Sequence, residues 1–306
     1  MRLRRLRWTK ALAAIVPALR IVRFVLAVAI VVAMGVVAVR SVRFEALTPW
    51  LLAPALAAAV VWWILLARGW AILASGRTTA GDMGLWCRTQ VLRYLPGGIW
   101  APTSRVALVG GSGVDRLATV AAENVVSLCA ALAVGGAALA ASGRPVAAVL
   151  AVAVAIPPAA ARLASGRTRL DPVRVRRATA NALAAFACYV LAAVLVQAAV
   201  SGLHQPLLVA GAAAISWAAG FVVVFTPGGL GARELAYAGL LASSFARADL
   251  ATAAVAMRAT TIAAELLVLL AAGRPSSVGT EPPPKNRTTN GGRDSRHRSG
   301  KYGAGR

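Results

Sequence analysis

Seven apolar stretches recur along this chain, each near the ~20 residues that an α-helix needs to cross the hydrocarbon core of a bilayer. They cover residues 21–39, 50–67, 117–141, 146–161, 179–200, 207–225 and 249–272, with 146–161 short for a crossing. An eighth, "ARELAYAGLLASSFA" over 232–246, is weaker and either crosses beside its neighbours or dips in and returns. Backbone in lipid must satisfy its hydrogen bonds internally, which a single stretch achieves as a helix. The sequence therefore predicts an all-α, polytopic membrane protein with seven or eight transmembrane helices. Composition agrees, since 59% of residues are hydrophobic and the mean hydropathy is +0.71.

The formal charge of +23 has the magnitude of a nucleic-acid binder, but its placement argues otherwise. Residues 1–23 hold 7 basic residues, 162–177 hold 6 and 273–306 hold 8, which is 21 of the 33. Lys and Arg gathered between and beyond apolar runs follow the positive-inside rule, so the expected partner is the membrane and no nucleic acid is expected. Residues 1–20 read as a basic cytoplasmic N-terminus, 21–272 as the transmembrane domain and 273–306 as a basic cytoplasmic tail. The tail is rich in Pro, Gly, Ser and charge, a composition that predicts disorder. With these basic segments on one side, eight spans satisfy the parity of crossings if 86–116 enters and leaves from that side. The expected location is the cytoplasmic (inner) membrane, multi-pass, with both termini cytoplasmic.

Little in the sequence suggests bond-making chemistry. Cys87, Cys129 and Cys188 are isolated in apolar surroundings, and the histidines are only His204 and His297. A metal centre, a disulfide frame or a catalytic triad has little to build on, and no GxxxxGK[ST] loop for nucleotide is present. Neither enzymatic activity nor a cofactor is expected.

Two helix breaks stand out. "PGGIWA" at 96–101 and "PGGLGA" at 227–232 share a Pro-Gly-Gly triplet, and each is followed, 19 and 22 residues after its proline, by "DRLAT" or "DLAT" opening a long apolar run. The order suggests an internal repeat, and paired interrupted helices in transporters mark the substrate site. Such a turn leaves amides and carbonyls that lipid cannot satisfy, so it must be buried in protein or face a water-filled cavity. Ionisable residues lie nearby: Arg105 after the first break, Arg233 and Glu234 at the second, Glu123 within its span, and Arg258 and Glu265 two turns apart on the last helix. Charges at membrane depth point inward, toward a polar cavity or one another. The glutamates are open to either role, structural pairing or ligand binding, while an arginine beside a Gly-rich break suits phosphate.

The stretches "LPGGIWAPTSR" (95–105), "TPGGLGARE" (226–234) and "MRATTIAAELL" (257–267) resemble the paired signatures of the lysylphosphatidylglycerol synthase transmembrane-region family, also called flippase-like membrane proteins. The resemblance spans most of residues 20–272. In the second signature Pro227, Gly229, Leu230, Gly231, Ala232, Arg233 and Glu234 correspond; in the first, only Pro96, Gly97, Gly98 and Arg105 carry over, because an expected aspartate is absent. The resemblance implies movement of an anionic phospholipid or a polyprenyl-linked lipid between leaflets. The ~33-residue tail is too short for the soluble aminoacyl-transferase domain of the full synthase. Pro96, Gly97, Gly98, Pro227, Gly228, Gly229 and Gly231 are expected to line the substrate cavity. Arg105 and Arg233 are expected to hold phosphate, Glu123, Glu234 and Glu265 to meet a cationic or hydroxyl-bearing head group or to orient the arginines, and Arg258 is a further candidate substrate-binding residue. The alternative reading is a non-transporting anchor or regulator of a cytoplasmic glycosyltransferase or other lipid-modifying enzyme.

Overall fold

A computed structural model of the chain describes residues 47–94, 100–166, 168, 170–223 and 227–272. The apolar stretch at 21–39, the first Pro-Gly-Gly break at 96–98 and the tail at 273–306 lie outside the described residues. Those described are all-α, with nine α-helices: α1 Leu52–Ser75, α2 Ala80–Gln90, α3 Trp100–Leu108, α4 Gly113–Ala141, α5 Ile156–Ala164, α6 Pro172–Ser201, α7 Pro206–Val222, α8 Ala232–Leu241 and α9 Arg247–Ala271. Short 3₁₀ segments lead into α1 at Pro49–Leu51, follow α2 at Val91–Tyr94 and occupy the second break at Pro227–Gly229.

Five helical segments are long and apolar enough to cross a membrane: Pro49–Ser75, Gly113–Ala141, Pro145–Ala164, Pro172–Ser201 and Arg247–Ala271. This is the architecture of a multi-pass membrane protein. Pro206–Val222 is apolar but shorter. At 10 residues, α8 extends only about 15 Å, half the hydrocarbon thickness, so it does not cross unaided. The stretch at 146–161 behaves differently from its residue count. Pro145–Ala155 winds as a 3₁₀ helix and continues directly into α5. A 3₁₀ helix rises ~2.0 Å per residue against ~1.5 Å in an α-helix, so the combined 20-residue segment spans roughly 35 Å.

Helix ends follow their sequences. The Asp171 carboxylate accepts the Val173 amide at 2.9 Å, with Pro172 at the first helical position of α6. Ser112 accepts the Asp115 amide at 3.2 Å at the start of α4. Between helices, small residues allow close approach, as is usual where no hydrophobic force separates protein from lipid. Ala55, Ala59 and Ala67 on α1 and Ala178, Ala185 and Ala192 on α6 are fully buried, and these two helices share the most extensive contact. α4, α7 and α9 pack around this pair.

The buried faces also carry rings. Trp86, Trp63, Trp62, Tyr189, Phe186, Trp217 and Phe221 form a chain from α2 through α1 and α6 to α7, with successive centroids 4.7–6.0 Å apart. Such spacing is typical of favourable aromatic pairs. Cys87 and Cys129 are buried free thiols, and Cys188 is half-buried.

Candidate functional site

The second break shows why its sequence is Pro-Gly-Gly-Leu-Gly. Gly228, Gly229 and Gly231 have φ of 59°, 73° and 86°, left-handed values that L-residues with a Cβ rarely adopt. The turn also presses against α7: a Cβ on Gly229 would lie 2.6 Å from the Gly220 carbonyl oxygen. A Cβ on Gly220 would in turn collide with the Arg233 side chain. Two glycines thus let the broken segment and the stem of Arg233 lie directly on α7.

Three ion pairs organise the surroundings. At the break, the Gly231 amide donates to Glu234 Oε2 at 2.7 Å, and Arg258 Nη2 on α9 donates to Glu234 Oε1 at 3.0 Å. Arg258 also reaches the Gly228 carbonyl at 3.4 and 3.5 Å. In the 3₁₀ segment that follows α2, Arg93 Nη2 and the Tyr94 hydroxyl each donate to Glu265 Oε2 of α9 at 2.6 Å. Between α3 and α4, Arg105 Nη2 lies 3.0 Å from Glu123 Oε2, while Trp86 Nε1 donates to Glu123 Oε1 at 2.9 Å. The Gln90 amide, turned with its oxygen toward them, accepts from Arg105 Nη1 at 3.2 Å and from Trp86 Nε1 at 3.3 Å. A Cβ on Gly228 would lie 3.6 Å from the Tyr94 ring, and the 3₁₀ segment Val91–Tyr94 ahead of the first break packs against the second.

A cavity of about 450 Å³ joins these parts, with Arg93, Arg105, Glu123, Gly228, Gly229 and Arg233 among its lining. Trp62, Trp63, Trp86 and Trp217 supply apolar walls, and Asn124 and Ser127 of α4 add polar ones. Arg233 also lines a smaller cavity of about 50 Å³ with Tyr189, Ser216, Glu234, Tyr237 and Arg258.

Arg233 differs from the other arginines here. Arg93, Arg105 and Arg258 each face a glutamate, whereas Arg233 has no carboxylate partner among the described residues; its buried Nε, like those of Arg93 and Arg105, has no hydrogen-bond acceptor. Its guanidinium lies 5.4 Å from the Trp217 ring centre. The cluster of Arg93, Arg105, Arg233 and Arg258 with Glu123, Glu234 and Glu265 therefore holds one more positive charge than negative. A cation without a counter-charge at membrane depth is costly, so an anion is the natural complement of this cavity.

Of the residues singled out in sequence, Arg105, Glu123, Gly228, Gly229 and Arg233 line the larger cavity and Glu234 and Arg258 the smaller. Glu265 lines neither and anchors Arg93 and Tyr94; Gly231 contributes its amide to Glu234, and Pro227 opens the 3₁₀ turn. Pro96, Gly97 and Gly98 lie outside the described residues. Sequence reasoning passed over Arg93, Tyr94 and the tryptophans. Arg93 and Tyr94 immediately precede Leu95 and Pro96, and that proximity to a break was the available signal. Trp62 and Trp63 are adjacent within an Ala-rich span, where large rings are otherwise few. Among the described residues no three His, Cys, Asp or Glu side chains gather in a manner that could hold a metal ion. Comparisons with protein-family models, with curated proteins and with solved structures return no match to this chain.

Proposed function

We propose that this chain is a flippase-like protein of the cytoplasmic membrane that receives the anionic head group of a phospholipid or lipid-linked saccharide in the larger cavity and passes it across the bilayer. The observation that carries the reading is Arg233: a guanidinium without a carboxylate partner, lining a cavity beside a broken membrane helix. Its planar donor fork matches phosphate oxygens, and interrupted helices are where transporters place their substrates. The likeness of residues 226–234 to the flippase-like signature supports the same reading.

The internal duplication belongs to this proposal. After each break comes a short helix, α3 or α8, then a long one, α4 or α9. In each half a charge on the short helix pairs with its opposite on the long one, Arg105 with Glu123 and Glu234 with Arg258. By the positive-inside rule, the basic segments of the sequence support a cytoplasmic position for both termini. In this reading no bond is made or broken, and the protein works by binding and exposure alone.

The test is lipid movement in proteoliposomes of the purified chain, with head-group-labelled phosphatidylglycerol, lysyl-phosphatidylglycerol and a polyprenyl-phosphate sugar. Arg233→Ala is expected to slow movement of the preferred lipid about tenfold or more, the effect of losing a charge-assisted hydrogen bond. Equal rates in wild type and variant would remove the anion role from Arg233.

A further inference from the structure

Whether the head group is aminoacylated or merely hydroxylated is a question the ion pairs address. We infer that the cavity selects a head group that is anionic at its phosphate and neutral and hydroxyl-bearing beyond it, such as glycerol or a sugar, and discriminates against cationic, aminoacylated ones. The inference rests on the anion-binding reading above.

A cationic head group needs a carboxylate whose charge is not already matched. Both oxygens of Glu234 are engaged, by the Gly231 amide and by Arg258. Glu265 holds Arg93 and Tyr94 and does not line the cavity. Glu123 does line it, but Arg105 stands 3.0 Å away and matches its charge. Aromatic faces can also bind cations, yet the protein's own arginines occupy two of the four tryptophans that line the cavity. The Arg93 guanidinium lies 4.6 Å from the Trp63 ring centre, and that of Arg233 lies 5.4 Å from the Trp217 ring centre. The surplus positive charge of the cluster repels a second cation and is neutralised by a phosphodiester whose head group is uncharged.

Hydrogen-bonding capacity points the same way. Glu123 Oε2 is buried and charge-matched but accepts no hydrogen bond, which leaves it the capacity to accept one from a hydroxyl without a second cation. Ser127 has no partner among the described residues, and Asn124 donates Nδ2 to the Val120 carbonyl at 2.9 Å, which leaves its oxygen as an acceptor. Glu123, Asn124 and Ser127 fall within about one turn of α4 and line the same cavity. Trp62, 2% exposed, also lines it, and its buried indole N–H has no acceptor. Donors and acceptors together fit hydroxyls, which both give and receive. The volume of about 450 Å³ lies within the ~300–1,000 Å³ typical of ligand sites.

The experiment is retention of defined lipids by the purified full chain in detergent, read by native mass spectrometry with phosphatidylglycerol, phosphatidic acid and lysyl-phosphatidylglycerol in competition. Phosphatidylglycerol is expected to exceed lysyl-phosphatidylglycerol about tenfold and phosphatidic acid about threefold, the effect of roughly one neutral hydrogen bond. Asn124→Ala with Ser127→Ala should erase the preference over phosphatidic acid while leaving phosphatidic acid itself bound; the latter also shows that the variant is folded. Lysyl-phosphatidylglycerol binding as well as phosphatidylglycerol, or phosphatidic acid binding equally in the wild type, overturns the inference. If Arg233→Ala still weakens all the anionic lipids, the anion-binding reading stands without it. Retention indifferent to Arg233→Ala overturns both.

Discussion

Arg105 is 2% exposed, lies 3.0 Å from Glu123 Oε2, and rests 5.4 Å from the Trp70 ring centre. Removing one member of a buried ion pair strands the other, a loss of about 3–5 kcal/mol in soluble proteins. Arg105→Ala is therefore expected to lower the thermal unfolding midpoint in detergent sharply, and adding Glu123→Gln should recover most of it. Arg233→Ala carries the opposite sign, because it deletes a charge with no carboxylate partner: its midpoint is expected to be unchanged or higher even as lipid movement falls. Equal destabilisation by the two substitutions would contradict this division of roles. Both arginines were visible beside Pro-Gly-Gly triplets, but their difference was not, since it depends on Glu123 arriving from α4 and no carboxylate arriving at Arg233.

α7 and the second break form one packed unit because Gly220 faces Gly229 and the stem of Arg233. Gly220→Ala inserts a methyl where Arg233 lies, and is expected to reduce lipid movement to near the Arg233→Ala level while the protein remains monodisperse by size exclusion. A rate matching wild type would mean that Arg233 can be relocated without effect. Elsewhere, Val146, Val149 and Val152 are exposed at three-residue intervals along the 3₁₀ portion of Pro145–Ala164. A ridge of period three is what a 3₁₀ helix presents, and its apolar character suits lipid. Val152, near the middle of that segment, is a position where a charge at bilayer depth costs about 2.5–3.5 kcal/mol. Val152→Lys should thus reduce insertion in a glycosylation-mapping assay, and unimpaired insertion would argue that this face is covered by protein. The apolar run itself was legible; its 3₁₀ winding was not, because Val, Ala and Leu satisfy either helix and the choice follows from packing against α4.

Across the whole molecule, α9 ties together segments far apart in sequence: Arg258 grips the second break, and Glu265 grips Arg93 and Tyr94 beside the first. Because α6 is long enough to cross, residue 165 and residue 203 are expected on opposite faces, with 165 cytoplasmic by its basic neighbours. Single cysteines at those positions, in a chain whose native cysteines are replaced, should label from opposite sides of oriented vesicles; labelling from one side would refute the crossing. The all-α membrane class and the approximate helix positions were determined by the sequence alone, because apolar runs and charge clusters are local properties that bilayer partition reads directly. So was the chemistry of the second break, where three glycines within four residues already imply left-handed backbone. Which arginine remains without a carboxylate, and that Asn124, Ser127 and four tryptophans share a cavity with it, were decided only in three dimensions. Those facts depend on helices up to 198 residues apart in contact, as in the Trp63 indole bond to the Thr261 carbonyl, and no local pattern of residues encodes which helix faces meet.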